Sequence, residues 1–359
     1  MEKKDFLGSS KLAQVIADIA PFRCLDIGVR GGFLKDLNPM AWAVDISGFD
    51  ADKSECDRLN TQYLKPGSHP FRNVTFYPVA LGQRAQKRTF WITNWGGTSS
   101  FLQPIAEIGD KFSRIEFVTV KETREIDTVP LDDFINTNGL HDIVFTKLDV
   151  EGLELEILQS AKNLLQSSLL AIRSEVVFLG SHSGHPLYGE MEAFLRDYGF
   201  MPMEFLDLNH WRRLTRIKYP DRSNGLIPFS KGQLAHGDVL FFKDPDILKD
   251  DTVQQIELLL KAAVLAITYG YIDHAYYILK RPSVKQYLEL KYSLSLEREI
   301  RKISLNLASQ YRRKRIGRLL SPIRTRIGSF LSKHPILQRV KKRMEVILLG
   351  LYRWDRGQP

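Results

Sequence analysis

Arg23-Cys24-Leu25-Asp26-Ile27-Gly28-Val29-Arg30-Gly31-Gly32-Phe33 is the stretch on which the reading of the fold turns. An apolar run closes on an acidic residue and opens into a glycine-rich turn. The first strand of a doubly wound α/β domain passes to its first helix in this way, at the sheet edge where such folds hold cofactors.

The flanking sequence fits that start. Leu12, Val15, Ile16 and Ile19 share a helical face, and Pro21 closes that helix. After the turn, Ala41-Trp42-Ala43-Val44-Asp45-Ile46 reads as the second strand and Val74 to Leu81 as the third. Arg88–Thr93 and Ile115–Glu122 read as an antiparallel excursion, with the polar loop Asn94-Trp95-Gly96-Gly97-Thr98-Ser99-Ser100 between them. Ile143–Asp149 and Leu169–Phe178 read as strands alternating with helices, and Phe200–Leu206 and Asp238–Phe242 as two late strands. The alternation predicts a mostly parallel sheet with helices on both faces and an antiparallel strand at its edge. From Thr252 two apolar helices read as a hairpin. The divisions are an α/β domain over 1–247, a hairpin packing on it over 248–295, and a basic helical tail over 296–359.

Composition bounds the class. At 43% hydrophobic residues the chain has ample material for a core. Cys24 and Cys56 supply neither a disulfide framework nor a metal-ligand spacing, so reduced thiols in a cytoplasm are expected. The longest apolar run, Ala262 to Ile272, falls short of a membrane span. The total charge of +9 is uneven: Lys280–Pro359 hold 21 Lys or Arg against 5 Asp or Glu, a net of +16, which leaves −7 for the rest. Basicity therefore concerns the tail's partner and not the core chemistry.

The glycine turn narrows the cofactor. A dinucleotide turn should read G-x-G-x-x-G, but Arg30 and Phe33 stand where the second and third glycines belong. There is no G-x-x-x-x-G-K-[ST] for a nucleoside triphosphate either. S-adenosylmethionine remains. It needs the glycine turn and an acidic residue ending the second strand for its ribose hydroxyls, and Asp26 and Asp45, 19 residues apart, stand in those places. The same pair would also serve as a helix cap and a turn residue.

Several motifs in order then resemble the FkbM family of S-adenosylmethionine-dependent methyltransferases. Leu25-Asp26-Ile27-Gly28 with Gly31-Gly32 resembles its first motif, and Val79-Ala80-Leu81-Gly82 its "ALG". Asn94–Ser100 is similar to its N-x-G-x-S-S loop, and Ile126-Asp127 with Leu131–Phe134 to its "tLD" segment. Lys147-Leu148-Asp149-Val150-Glu151-Gly152-Leu153-Glu154 resembles the KxDVEGxE signature, and Ser174-Glu175-Val176 the strand that follows. Two departures stand out: Arg30 where the family has Asn, and Asp45-Ile46 where it often has Glu-Pro.

The resemblance implies a Rossmann-like class I methyltransferase sheet, here with an all-α basic extension, binding S-adenosyl-L-methionine. It implies methyl transfer to a hydroxyl oxygen of a saccharide, glycolipid or related natural product. Cofactor contacts fall on Asp26, Gly28, Arg30, Gly31, Gly32, Asp45, Ile46, Ala80, Leu81 and Ser99. The activated methyl needs an aligned acceptor oxygen and a group to take its proton. Asp149, Glu151, Glu175 and His182, at the carboxyl ends of the central strands, are the candidates. The three carboxylates could also hold a divalent cation, but the pattern does not call for a metal.

For the tail, the readings are a solvated extension or oligomer contact, an anionic membrane surface, or nucleic acid, the last making the chain an RNA methyltransferase. Placement is cytoplasmic, or peripheral at the inner membrane surface.

Overall fold

The computed structural model describes residues 7–312, apart from 9, 31–34, 64, 66 and 214–230. In chain order the main-sheet elements begin with α1 (Leu12–Ile19), β1 (Phe22–Ile27), β2 (Val44–Asp50), α2 (Lys53–Tyr63) and β3 (Asn73–Pro78). A side sheet follows, formed by β4 (Ala80–Gly82), β5 (Gln86–Thr93) and β6 (Val120–Pro130), with α3 (Ala106–Phe112) and α4 (Ile115–Val118) between the last two. The chain returns through α5 (Leu131–Thr137), β7 (Ile143–Leu148), α6 (Glu154–Gln159), α7 (Lys162–Gln166), β8 (Ala171–Val177), α8 (Tyr188–Asp197), β9 (Phe200–Trp211) and β10 (Gln233–Lys243).

The main sheet has the order β3-β2-β1-β7-β8-β10-β9. Every pair from β3 to β8 is parallel; β10 runs antiparallel to both β8 and β9. The reversed strand thus sits one place inside the edge, with β9 outside it. β1 and β7 are buried almost throughout, as strands covered on both faces must be. On one face Leu25, Ile27, Leu148 and Ile172 pack with α5, α6, α7 and α8. On the other, Phe145 and Phe242 meet Tyr269 of α9 (Val253–Tyr269).

Three expectations shift. The second strand is displaced: Ala41–Ala43 close a short 3-10 turn, and the strand runs on through Ser47 and Gly48 to Asp50. Gly48 is a strand residue because Phe76 of β3 lies over it; a Cβ there would come within 2.6 Å of that ring. The third strand breaks at Val79, where β4 leaves for the side sheet. The expected strand from Ile115 begins as helix α4, with Phe117 held between Trp95, Trp211 and the Arg114 guanidinium, and becomes strand only at Val120. Packing of one aromatic outweighs the local alternation.

After α9 come α10 (Ile272–Leu279) and α11 (Pro282–Tyr292), so the segment after the sheet holds three helices where a hairpin of two was expected. Thr252 caps α9 with its hydroxyl on the Gln255 amide. The Tyr269 hydroxyl donates to Asp36, which also pairs with Arg173 of β8; Arg173 pairs in turn with Asp238 of β10. A second unit begins at Leu294, and of it 294–312 are described, helical over 296–312. The rest of the tail lies outside the described residues. Among the described residues no helix is long and apolar enough to cross a membrane.

Candidate cofactor and methyl-transfer site

The site forms where two strand-end turns meet. β1 and β2 pair in register from Phe22↔Val44 to Ile27↔Phe49, so Asp50 is level with Gly28. The Gly28 and Val29 amides donate to the Phe49 carbonyl at 2.9 and 3.2 Å. From the other side the turn after β7 presses in: a Cβ on Gly28, whose φ is +89°, would stand 1.8 Å from the Asp149 carbonyl oxygen. Only glycine fits this approach and this backbone conformation. Lys147 cross-links the turns, its ammonium donating to the Gly28 carbonyl (3.2 Å) and Asp149 (3.0 Å), with Asp26 at 3.7 Å. Burial disfavours the Lys147 charge, yet Asp26 and Asp149 outweigh it and the net shift is upward.

The KxDVEGxE segment has a local mechanical reason. Glu154, at the start of α6, accepts the Val150 amide at 2.7 Å and the Gly152 amide at 2.9 Å. Such hydrogen bonds are worth about 0.5–1.5 kcal/mol each, and together they help hold Glu151 in the left-handed region at φ 57°. The buried Ser100 hydroxyl fixes the same residue from the polar loop by donating to the Glu151 carbonyl at 2.7 Å.

These turns enclose a cavity of about 270 Å³, near the lower end of small-molecule pockets. Gly28, Arg30, Asp50 and Ala51 line it on one side, Ala80, Leu81, Phe101 and Ile157 give it apolar walls, and Ser99, Asp149 and Glu151 add polar groups. Asp149, Glu151 and, behind them, Glu175 each bring a carboxylate oxygen within 4.8 Å of the other two. Burial first, then the Glu175 charge, pushes the Glu151 carboxyl well above its usual range. The same causes push Glu154 up to about 8. Burial also raises Glu175, while its bond to His236 Nδ1 (2.9 Å) pulls the other way. A cation at the trio would have to compete with the Lys147 ammonium already on Asp149.

The structure brings together Gly28, Arg30, Ala80, Leu81, Ser99, Asp149 and Glu151. It removes Asp45 and Ile46: they lie at the amino end of β2, opposite Arg23 and Cys24, and Asp45 is paired with Arg72 at 3.0 Å. The carboxylate level with the glycine turn is Asp50, raised in pKa by burial. Asp26 is 3% exposed and sits with Lys147 beneath the turn. His182 is buried with Ser181 on its Nδ1 and the His185 ring 5.8 Å away; burial pulls it down to about 4, so it is neutral and anchors its loop. Arg30 donates to the Gly96 carbonyl and faces Asp52 at 3.7 Å, tying the first turn to the polar loop. Gly31 and Gly32 lie outside the described residues. Asp50, Glu154 and His236 were missed; Asp50 had a signal, being the next acidic residue after an apolar Phe49.

Strand order, reversed strand and strand-end cavity are those of a Rossmann-like class I methyltransferase. Residues 46–202, under half of the chain, match the model of the methyltransferase FkbM domain. No curated protein matches the chain. Among solved structures it is similar to a methyltransferase FkbM from Methylobacillus flagellatus, at 12% identity over 62% of this chain and 43% of that one, with a TM-score of 0.33. It is also similar to the magnesium protoporphyrin IX methyltransferase of Synechocystis with bound SAM: 10% identity, 65% of this chain, 76% of that chain, TM-score 0.28. For TrmK of M. capricolum, solved with S-adenosylhomocysteine, the figures are 8%, 78%, 96% and 0.28. The chain spans less than half the length of the first of these.

The cofactor of FkbM methyltransferases is S-adenosylmethionine. The donor set suits it: a carboxylate, Asp50, for the ribose diol, apolar walls at Leu81 and Ile157 for a base, and bare backbone at Gly28.

Proposed function

We propose that the chain transfers the methyl group of S-adenosylmethionine to a hydroxyl oxygen of a saccharide or lipid-linked saccharide. The observation that carries this reading is Glu151, a carboxyl of raised proton affinity fixed in the wall of the cavity that Gly28 and Asp50 also line. When bound, the cofactor supplies an activated methyl on a sulfonium. The protein then has to orient the acceptor and take one proton.

Asp50 and Gly28 hold the cofactor, and Glu151 accepts the hydroxyl proton in its ionised form, so transfer rises with pH as this carboxyl, raised by burial, loses its own proton. Asp149, held by Lys147, and Glu154 keep Glu151 in place. The saccharide follows from the motif resemblance. The basic C-terminal stretch, net +16 over Lys280–Pro359, suits the anionic surface on which a lipid-linked acceptor would lie.

The test combines calorimetry with label transfer. Wild-type protein should bind S-adenosylmethionine and move its labelled methyl into a glycan or glycolipid extract. Glu151→Gln should bind the cofactor within about twofold yet lose about 100-fold or more in transfer. Absence of cofactor binding to the wild type sinks the reading. Label entering RNA instead of glycan would favour the nucleic-acid alternative suggested by the tail.

A further inference from the structure

Methyl transfer to a hydroxyl leaves one proton on the protein per turnover, and the site must return it to water before the next. Glu151 receives it among other carboxyls. Behind Glu151, outside the cavity lining, stands Glu175 of β8, with carboxylate oxygens of the two within 4.8 Å. One water molecule spans such a gap.

Glu175 has a second neighbour. β8 and β10 pair antiparallel with Glu175 opposite Asp238 and Val177 opposite His236. Glu175 and His236 are therefore diagonal neighbours on one sheet face, and Oε1 meets Nδ1 at 2.9 Å. Exposure rises along this line, from 13% for the Glu175 side chain to 29% for His236. Trp211 stands edge-on to the imidazole, ring centres 5.8 Å apart, and fixes its plane. The other nearby imidazoles, His182 and His185, are pulled down to about 4, chiefly by burial, and take no proton at neutral pH.

We propose that Glu175 and His236 form the proton exit of the methyl-transfer site, an inference that rests on the reading above. As the oxygen–methyl bond forms, the carbon–sulfur bond breaks and its electron pair goes to sulfur. The hydroxyl proton passes to Glu151, then through Glu175 to His236, and the imidazolium so formed loses it to water. Asp149, Lys147 and Asp238 face the path as charged neighbours, and each keeps an ion-pair partner of its own or shares one.

The experiment compares wild type, His236→Gln and His236→Ala. It follows label transfer from S-adenosyl-[methyl-3H]methionine to a glycolipid extract, in the first turnover and at steady state across pH. It also measures cofactor binding in buffers of different ionisation enthalpy, which counts the protons exchanged without any turnover. His236→Gln should bind cofactor within about twofold and keep the first turnover. Its steady-state rate should fall about tenfold, and the proton count on binding should change. Added imidazole should restore most of the rate of His236→Ala.

A steady-state rate and proton count like wild type in His236→Gln would overturn the exit. So would a loss without imidazole rescue, or one accompanied by loss of cofactor binding, which marks a structural role. Wild type that binds cofactor but transfers no label overturns the exit together with the reading it rests on.

Discussion

Asp45 and Asp50 lie five residues apart on one strand and do unrelated work. Asp45 meets Arg72 at the amino end, with its partner half exposed; Asp50 lines the cavity at the carboxyl end. Asp45→Ala should leave cofactor affinity unchanged and cost at most about 1 kcal/mol of stability, as surface ion pairs do. Asp50→Ala should weaken S-adenosylmethionine binding about 10- to 100-fold by calorimetry, or about 1.4–2.8 kcal/mol. Equal losses in both variants would refute the assignment. At this scale the sequence showed that a ribose carboxylate was needed, and which type. It misplaced it because a one-dimensional pattern gives strand ends poorly, whereas the register of β1 against β2 gives them directly.

At the scale of elements, that error traces to one glycine. Ser47-Gly48 has the composition of a turn, and a turn there ends the strand at Ile46. In the fold Gly48 is strand interior, bare because Phe76 covers it. What specifies it lies on the neighbouring strand, 28 residues on, where single-strand periodicity cannot see it. Gly48→Val should therefore destabilise in spite of the better strand propensity of Val, by about 1–3 kcal/mol from overpacking, read as a lowered urea midpoint. A rise in stability would count against the registered β2–β3 packing. β1, β7 and β8 were legible because apolar residues buried on both faces dominate them, around a few polar ones such as Arg173 and Glu175. The same holds for α1, whose four periodic residues are all buried. The KxDVEGxE turn was legible as a signature, but its mechanism was not. Glu154 clamps two amides, so that Glu151 can occupy a strained conformation, and this contact arises only in the folded turn.

For the whole molecule, the buried carboxyls give stability a pH dependence. Burial raises the proton affinity of Glu151, Glu154 and Glu175 in the folded chain, Glu154 up to about 8. The folded state then binds protons that the unfolded chain has released. This contribution is fully present below the unfolded value near 4.5 and is lost as pH rises through about 8. The melting temperature of the wild type should fall between about pH 5 and pH 8.5, and that of Glu154→Gln should fall less over the same window. A wild-type profile rising through this range, or one parallel to the variant's, would contradict the buried carboxyl cluster.

The bond from Tyr269 to Asp36 joins residues 233 positions apart. Asp36 belongs to the segment that follows the glycine turn and also pairs with Arg173, so that segment acquires its second anchor only once α9 is present. A ribosome makes the N-terminal half of the cofactor cradle early and the tyrosine that steadies it late. Nascent chains ending before Tyr269 carry Asp36 with Arg173 as its partner and without the tyrosine hydroxyl.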